Sequence, residues 1–196
     1  GLKNRMSNEA LIPFRAGDMI YEEVVKDGII DANDMQVIGD PTPDFTGEVF
    51  TQLKFKQLSL SASLGFSYGN DVYNYYRYSL ENMGTTNNQT QAILNRWRYQ
   101  GQTTNVPRAE FGDPMGNARF SDRWIEDGSY ARLKNVNLSY MIPFNTDFVK
   151  YAEIYVSGIN LLTFTNYLGL DPDFSLNGFS LSQGVDVGLI PQNRMV

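Results

Sequence analysis

The chain has 196 residues, of which 42% are hydrophobic and 13% aromatic, and it carries a formal net charge of −6. It contains no Cys and no His, which excludes a thiol nucleophile, an imidazole base and a zinc site built from those residues. The acidic balance argues against nucleic-acid binding, because phosphate contacts need a basic surface. No apolar run approaches the roughly 20 residues of a membrane helix, which excludes helical spans only.

Residues 1–44 show little periodicity and are predicted to form a loop segment with an acidic turn. The turn places Asp27, Asp31 and Asp34 around Gly28. Spaced carboxylates near a glycine are a feature of calcium loops, so these three residues are candidate ligands of a structural calcium ion. The alternative is a solvated acidic turn, because Val25 falls where such a loop needs an oxygen ligand. No other cofactor is expected.

The clearest pattern in the chain is the strict alternation over Leu58–Tyr68. Apolar and aromatic residues occupy the even positions, and serine or glycine occupies the odd ones. Phe45–Phe55 alternates as well, with Phe50 as the exception, so the two segments predict a hairpin that turns at Lys56 and Gln57. Eleven residues exceed the usual soluble strand and suit a tilted membrane strand whose apolar face meets lipid.

A second long pair of strands is predicted further along the chain. The segment 135–142 alternates up to Pro143, residues 144–150 make a short connection, and Tyr151–Thr165 is the return strand. The faces of the return strand are ambiguous around Ile159–Leu162. The connections 69–129 and 166–192 are long, and alternating short turns and long loops are typical of outer-membrane barrels.

The first long connection carries two further candidates. Residues 89–99 predict a short helix, with Ile93, Leu94 and Trp97 on one side. Four tyrosines just past the first hairpin are candidate substrate contacts, because aromatic faces stack on sugars; packing between loops or an interfacial girdle explains them equally well. They are Tyr73, Tyr75, Tyr76 and Tyr78.

Several separated motifs resemble those of one transporter family, and they occur in that family's order. The most specific are SDRWIEDGSYARLKNVNLSY over Ser121–Tyr140 and IYVSGINLLTFTNY over Ile154–Tyr167, followed by GLDPD over Gly169–Asp173. The others are Ala16–Asp18, Asp27–Asp34, Ile38–Phe45 and Ser67–Tyr73. Together they resemble the C-terminal barrel portion of the SusC/RagA family of TonB-dependent outer-membrane transporters.

The resemblance implies an all-β fold, with antiparallel strands from the C-terminal part of a transmembrane β-barrel over 45–196. It also implies a signal peptide, a plug domain and a final strand that are expected outside these residues. The expected location is the cell outer membrane. The expected partners are outer-membrane lipid, a SusD-like surface lipoprotein, TonB through the plug, and a glycan or peptide substrate.

The function predicted by the resemblance is import of oligosaccharides or other bulky nutrients. No enzymatic activity is expected, because the chain lacks His and Cys and shows no convergent acid/base pattern. Glu126–Asp127 and the pair Asp171 and Asp173 are weighed as a glycosidase pair, but sequence spacing cannot show the required separation, and Glu126–Asp127 fits a turn before a strand. The alternative is a secreted, soluble β-sandwich that binds carbohydrate. Strand length, loop asymmetry and the motif set argue against that alternative.

Overall fold

The computed structural model describes residues 2–5, 11–144, 146, 148–174 and 183–196. Two compact units make up the chain: Gly1–Ile38 with Asn74–Ile125 form the first, and Gly39–Tyr73 with Glu126–Val196 form the second. The predicted division into 1–44 and 45–196 refers to the organisation of a longer protein and stays a prediction. The predicted connections 144–150 and 166–192 lie partly outside the described residues.

The described residues contain ten β-strands, one α-helix and three 3-10 helices. The strands are β1 Lys3–Asn4, β2 Ile12–Pro13, β3 Ile29–Ile30, β4 Phe45–Phe55, β5 Leu58–Tyr68, β6 Asp71–Asn74, β7 Ile125–Asp127, β8 Tyr130–Pro143, β9 Tyr151–Thr165 and β10 Val185–Asp186. The helices are α1 Tyr75–Glu81 and the 3-10 turns Ala32–Asp34, Gln91–Asn95 and Asp122–Trp124. Among the described residues, none of the helices has the length and apolar character needed to cross a membrane.

The main sheet has the strand order β4-β5-β8-β9, and each neighbouring pair is antiparallel. The predicted hairpin is confirmed, with Phe55 opposite Leu58 and Phe45 opposite Tyr68. Lys56 makes the turn with a φ of 52°, a left-handed conformation that tight hairpin turns require. All neighbouring strands of the main sheet are antiparallel, which agrees with the all-β, antiparallel fold class that the sequence predicted.

Each side of the main sheet keeps one chemical character across four strands, since residues in register share a face. The apolar face carries Val49, Leu53, Leu58, Leu64, Leu138, Val156, Leu162 and Phe164. The serine face carries Gln52, Ser59, Ser61, Ser63, Asn135, Asn137, Ser139 and Ser157, with Phe50, Tyr130, Tyr155 and Ile159 as its aromatic or apolar members. Val49 is 59% exposed and Val156 is 63% exposed, so the apolar face is uncovered.

Strand β8 begins at Tyr130, earlier than the alternation of the sequence indicated. A β-bulge at Lys134 is the reason, because the register passes from Asn135 opposite Ser63 to Leu133 opposite Leu64. The extra residue shifts the alternation by one position. Leu133 and Val136 therefore lie on the same face, although their spacing is odd.

The ambiguous stretch of β9 lies opposite this bulge. Leu162 pairs with Leu133 and Ile159 pairs with Asn135, which leaves Asn160 and Leu161 between two pairs. Asn160 has a φ of 53°, a left-handed conformation that asparagine adopts more readily than most residues. Its side-chain amide donates to the carbonyl of Asn193 at 3.1 Å, and Met195 pairs with Ile159.

The first unit contains the short sheet β2-β1-β3 and helix α1. The predicted helix over 89–99 is wrong in extent, because only Gln91–Asn95 is helical and it is a 3-10 turn. Trp97 instead packs its ring over Gly17. The backbone N–H of Trp97 donates to the carbonyl of Val106 at 2.9 Å. These long-range contacts end the helical conformation at Arg96.

Helix α1 is the α-helix that the sequence analysis missed. Its cap is Asn74, whose side-chain oxygen accepts a hydrogen bond from the N–H of Arg77 at 2.8 Å. Arg77 and Glu81 lie one turn apart and form an ion pair at 3.4 Å. A cap and one such pair are weak signals in a helix of only seven residues.

The conformation of Asn160 gives a test of the bulge in β9. Asn160→Val should destabilise the fold by about 1–2 kcal/mol, because a β-branched residue resists a left-handed conformation. Asn160→Gly should be milder, since glycine tolerates that conformation and loses only the side-chain hydrogen bonds. The temperature at which the folded band disappears in semi-native electrophoresis measures both. Ser157→Val is the control in the same strand, and equal effects of valine and glycine at Asn160 would contradict the bulge.

Candidate functional site

Arg132 is the most buried charged side chain of the main sheet, with a residue exposure of 2%. It projects from β8 on the serine face, in register with Gly65 and Thr163. Its guanidinium contacts the carboxylate of Asp171 and lies 3.4 Å from that of Asp173, and its Nε donates to the hydroxyl of Thr163 at 3.1 Å. Strand β8 is thereby tied to the segment that follows β9.

Asp171 extends this connection beyond Arg132. Its carboxylate accepts the N–H of Asp173 at 2.9 Å and the N–H of Gln192 at 3.0 Å. The Gln192 amide in turn donates to the carbonyl of Asp173 at 3.2 Å. We call Arg132, Asp171, Asp173 and Gln192 the loop anchor, because they fix both ends of the connection after β9 to the sheet.

Two further hydrogen bonds hold the connection after β9. The hydroxyl of Tyr167 donates to the buried carboxylate of Asp186 at 2.6 Å. The N–H of Leu168 donates to Glu126 at 2.9 Å. The described part of the loop after β9 is thus ordered by charge-assisted hydrogen bonds at two points.

The carboxylates weighed as a hydrolytic pair have structural partners instead. Asp171 and Asp173 face Arg132, Glu126 accepts a backbone N–H, and Asp127 accepts the N–H of Ser129 at 2.9 Å. These contacts are those of turn and loop residues, which is the alternative that the sequence favoured for Glu126 and Asp127.

Two of the four candidate tyrosines form an aromatic cluster in the first unit. Tyr75 and Tyr78 stack at 5.5 Å between ring centroids, and Tyr78 meets Trp124 edge to face at 5.4 Å. Arg77 and Arg123 lie over the Trp124 ring at 5.2 and 4.8 Å. Tyr75 is 44% exposed, so its ring is open to a ligand, whereas Trp124 is buried.

The other two candidates lie outside this cluster. Tyr73 belongs to the second unit, where its N–H donates to the carbonyl of Gly184 at 2.7 Å. Tyr76 is half-buried, and its carbonyl accepts the hydroxyl of Ser79 at 2.7 Å. Substrate contact by Tyr73, Tyr75, Tyr76 and Tyr78 stays a prediction.

The acidic turn is closed by its own backbone. One oxygen of Asp34 accepts the N–H groups of Val24 and Val25, at 2.9 and 3.0 Å, and its other oxygen accepts that of Asp31 at 2.9 Å. Asp31 faces Arg5 at 3.3 Å, and Asp27 accepts the N–H of Ile29 at 2.8 Å. In the part of the chain that the structure describes, no group of three or more acidic residues is placed to hold a metal ion. Calcium binding by Asp27, Asp31 and Asp34 stays a prediction.

The interior of the first unit depends on polar contacts between distant parts of the chain. Asp18 receives Arg108 at 2.6 Å and the amide of Asn117 at 3.2 Å. The hydroxyl of Tyr21 donates to the carbonyl of Gly116 at 2.6 Å, and burial raises the pKa of Tyr21 above its ordinary value. Burial also raises the pKa of Asp113, against the lowering effect of two backbone N–H groups. The sequence analysis identified none of these partners.

Comparison with known proteins gives the family. No family model matches the chain. Two curated relatives from Formosa agariphila, TonB-dependent receptors P3 and P26, are 32% and 33% identical over 91% and 94% of this chain. Two solved structures of the RagAB peptide importer, in its closed-closed and open-open states, match with TM-scores of 0.69 and 0.64. Their identities to the chain are 28% and 27%, over 84% and 80% of its length.

The chain matches a segment of TonB-dependent receptors of the SusC/RagA kind. It spans only 18% and 19% of the length of the two curated relatives, and 18% and 17% of the two solved chains. Its match to the RagAB structures identifies this receptor segment as a β-barrel portion. These matches favour the outer-membrane barrel over the alternative of a soluble β-sandwich, in which a second sheet would cover the apolar face.

The loop anchor can be tested by a double-mutant cycle in the receptor. Arg132→Ala should destabilise the protein by about 3–5 kcal/mol, because it leaves Asp171 buried without its cationic partner. Arg132→Ala combined with Asp171→Ala should cost less than the sum of the single changes. Urea unfolding in lipid vesicles measures the four variants. Lys134→Ala is the control, since its exposed pair with Glu48 at 3.7 Å should contribute only about 0–1 kcal/mol. Strict additivity would show that the anchor carries no coupling.

The acidic turn should respond to pH through Asp34. The N–H of Asp31, followed by those of Val25 and Val24, lowers the pKa of Asp34 below its ordinary value. A lowered pKa in the folded state means that Asp34 stabilises the turn above the unfolded pKa of about 4. That contribution is lost as the pH falls through the folded pKa.

Hydrogen exchange at Val24, Val25 and Asp31, referenced to the intrinsic rate at each pH, should therefore accelerate on acidification. Asp34→Asn should lack most of this response. An identical response in the Asn variant would contradict the role of Asp34. Calorimetry with millimolar calcium tests the metal prediction separately.

Proposed function

We propose that this receptor segment is part of the wall and outer loops of an outer-membrane importer for bulky nutrients. The supporting observation is the main sheet, in which four long strands carry an uncovered apolar face and a polar serine face. Lipid offers no hydrogen bonds, so a strand that faces it must be apolar on that side and fully paired along its backbone. Strands of 11–15 residues match the length that a tilted strand needs to cross a bilayer.

The aromatic residues on the apolar face support this orientation. Phe45 and Tyr68 stack at 5.1 Å at the end of the sheet that leads into the long connections. Phe55 and Tyr140 lie on the same face at the other end, beside the short turns. Aromatic girdles at both edges of an apolar band are typical of outer-membrane barrels. The end with Tyr68 is therefore the outer end in this proposal.

The serine face would line the interior of the barrel. Asn135 donates to the hydroxyl of Ser63 at 3.2 Å across β5 and β8, and Lys134 faces Glu48 at 3.7 Å. Such a polar wall suits hydrated cargo, and we propose peptides or oligosaccharides as the substrate class. The solved relatives named as peptide importers favour peptides. A SusD-like lipoprotein would cover the outer end, and TonB would act through the plug of the complete receptor.

The proposal includes no catalytic step. The relatives are named as receptors and importers, and the carboxylates weighed as a hydrolytic pair hold backbone groups or Arg132. Transport in this account depends on shape, on the polar interior and on the outer loops.

The two faces of β4 provide the test. Val49 lies on the apolar face and Gln52 on the serine face of the same strand, and both are exposed. A positive charge facing mid-membrane lipid costs about 2–4 kcal/mol, and far less inside the barrel. Val49→Arg in the full-length receptor should therefore lower its level in the outer membrane strongly, whereas Gln52→Arg should retain it. Immunodetection in fractionated membranes measures both, and equal levels would contradict the assignment of the faces.

A further inference from the structure

A groove opens at the outer end of the apolar face. It has a volume of about 730 Å³. Its lining combines residues of the apolar face with the neighbouring strand residues Ser67, Tyr130, Thr163 and Thr165 and with residues of the turns beyond the strands. Ala131 lies at its centre, because it stands in register between Phe66 of β5 and Phe164 of β9. A methyl group between two aromatic residues leaves a trough whose walls are rings.

The position of Phe66 keeps this trough open. Its ring lies over Gly47, whose missing side chain makes room for it, and meets Phe45 edge to face at 6.1 Å. The ring therefore leans towards β4 and away from Ala131. Phe164 forms the opposite wall and is 63% exposed.

The outer end of the groove is polar. Asp127, Ser129 and Asn166 line it there. Asp127 accepts the N–H of Ser129, and Ser129 accepts the N–H of Gly69 at 3.0 Å, so this rim is held in place by the backbone. The groove thus joins an apolar trough to a fixed carboxylate. That order matches an amphiphile with an acyl chain and a cationic head.

We propose that the groove binds one lipid of the outer membrane whose head group carries an amine. The acyl chain would lie over Ala131 between Phe66 and Phe164, and the ammonium group would meet Asp127 at the interface. The groove is continuous with the apolar face, so lipid is the solvent it meets. The inference rests on the proposed function, because it needs the apolar face to lie in the membrane.

The test compares two lipids with the same acyl chains, phosphatidylethanolamine and phosphatidylglycerol, bound to the full-length receptor. Native mass spectrometry of receptor released from mixed nanodiscs counts the retained lipids. The wild type should retain phosphatidylethanolamine in preference. Ala131→Phe, which fills the trough, should reduce retention of both lipids by roughly tenfold. Asp127→Asn should remove the preference and leave the retained total nearly unchanged.

Two further variants complete the design. Ala62→Phe places the same ring on the same face outside the groove and should leave retention unchanged. Phe164→Ala removes a wall without adding bulk, and it replaces Ala131→Phe if that variant fails to assemble. Retention that is insensitive to both Ala131→Phe and Phe164→Ala would overturn the groove, and an unchanged preference in Asp127→Asn would overturn the amine. Absence of the wild type from the outer membrane would instead overturn the proposed function.

Discussion

The main sheet combines continuous pairing between its neighbouring strands β4, β5, β8 and β9 with one side that is apolar and uncovered. In water, such a surface would associate or collapse, because large exposed apolar patches on monomeric proteins are rare. A bilayer favours such a surface, provided that the edge strands β4 and β9 pair with further strands so that no backbone group is left unsatisfied. The length of the strands, the aromatic residues at their ends and the polar opposite face all follow from this one requirement.

The polar side of the sheet holds the connection after β9 through charged and polar contacts. The Arg132 guanidinium is almost completely buried, and it organises Asp171, Asp173 and Thr163 around it. A buried cation of this kind is costly unless each donor has a partner, and that requirement specifies where the loop lies. The bulge at Lys134 lies two residues from Arg132 and changes which side chains face the loop. The bulge in β8 and the loop anchor therefore lie at the same place in the sheet.

The extent to which the sequence predicts this structure follows from the range of each interaction. The hairpin Phe45–Tyr68 and strand Tyr151–Thr165 were predicted correctly, because alternation is a local pattern. The start of β8 was missed because the bulge shifts the alternation, and helix α1 was missed because seven residues carry little periodicity. The ion pair of Arg132 with Asp171 was not predicted, because it joins residues 39 positions apart; Arg132 was quoted only within a motif, and Asp171 was quoted within a motif and weighed as a hydrolytic residue with Asp173. The contacts of Asp18 and Asn4 span about a hundred residues, beyond any local pattern.

The most direct test of the account is a cysteine scan along Phe45–Tyr68 in the full-length receptor, with any cysteine outside this chain replaced; the chain itself contains none. Single cysteines on the apolar face should react with a lipid-soluble maleimide and resist a charged, water-soluble one. Cysteines on the serine face should show the opposite preference, so that reactivity alternates residue by residue along both strands. Uniform reactivity with the water-soluble reagent on both faces would contradict a membrane-spanning sheet.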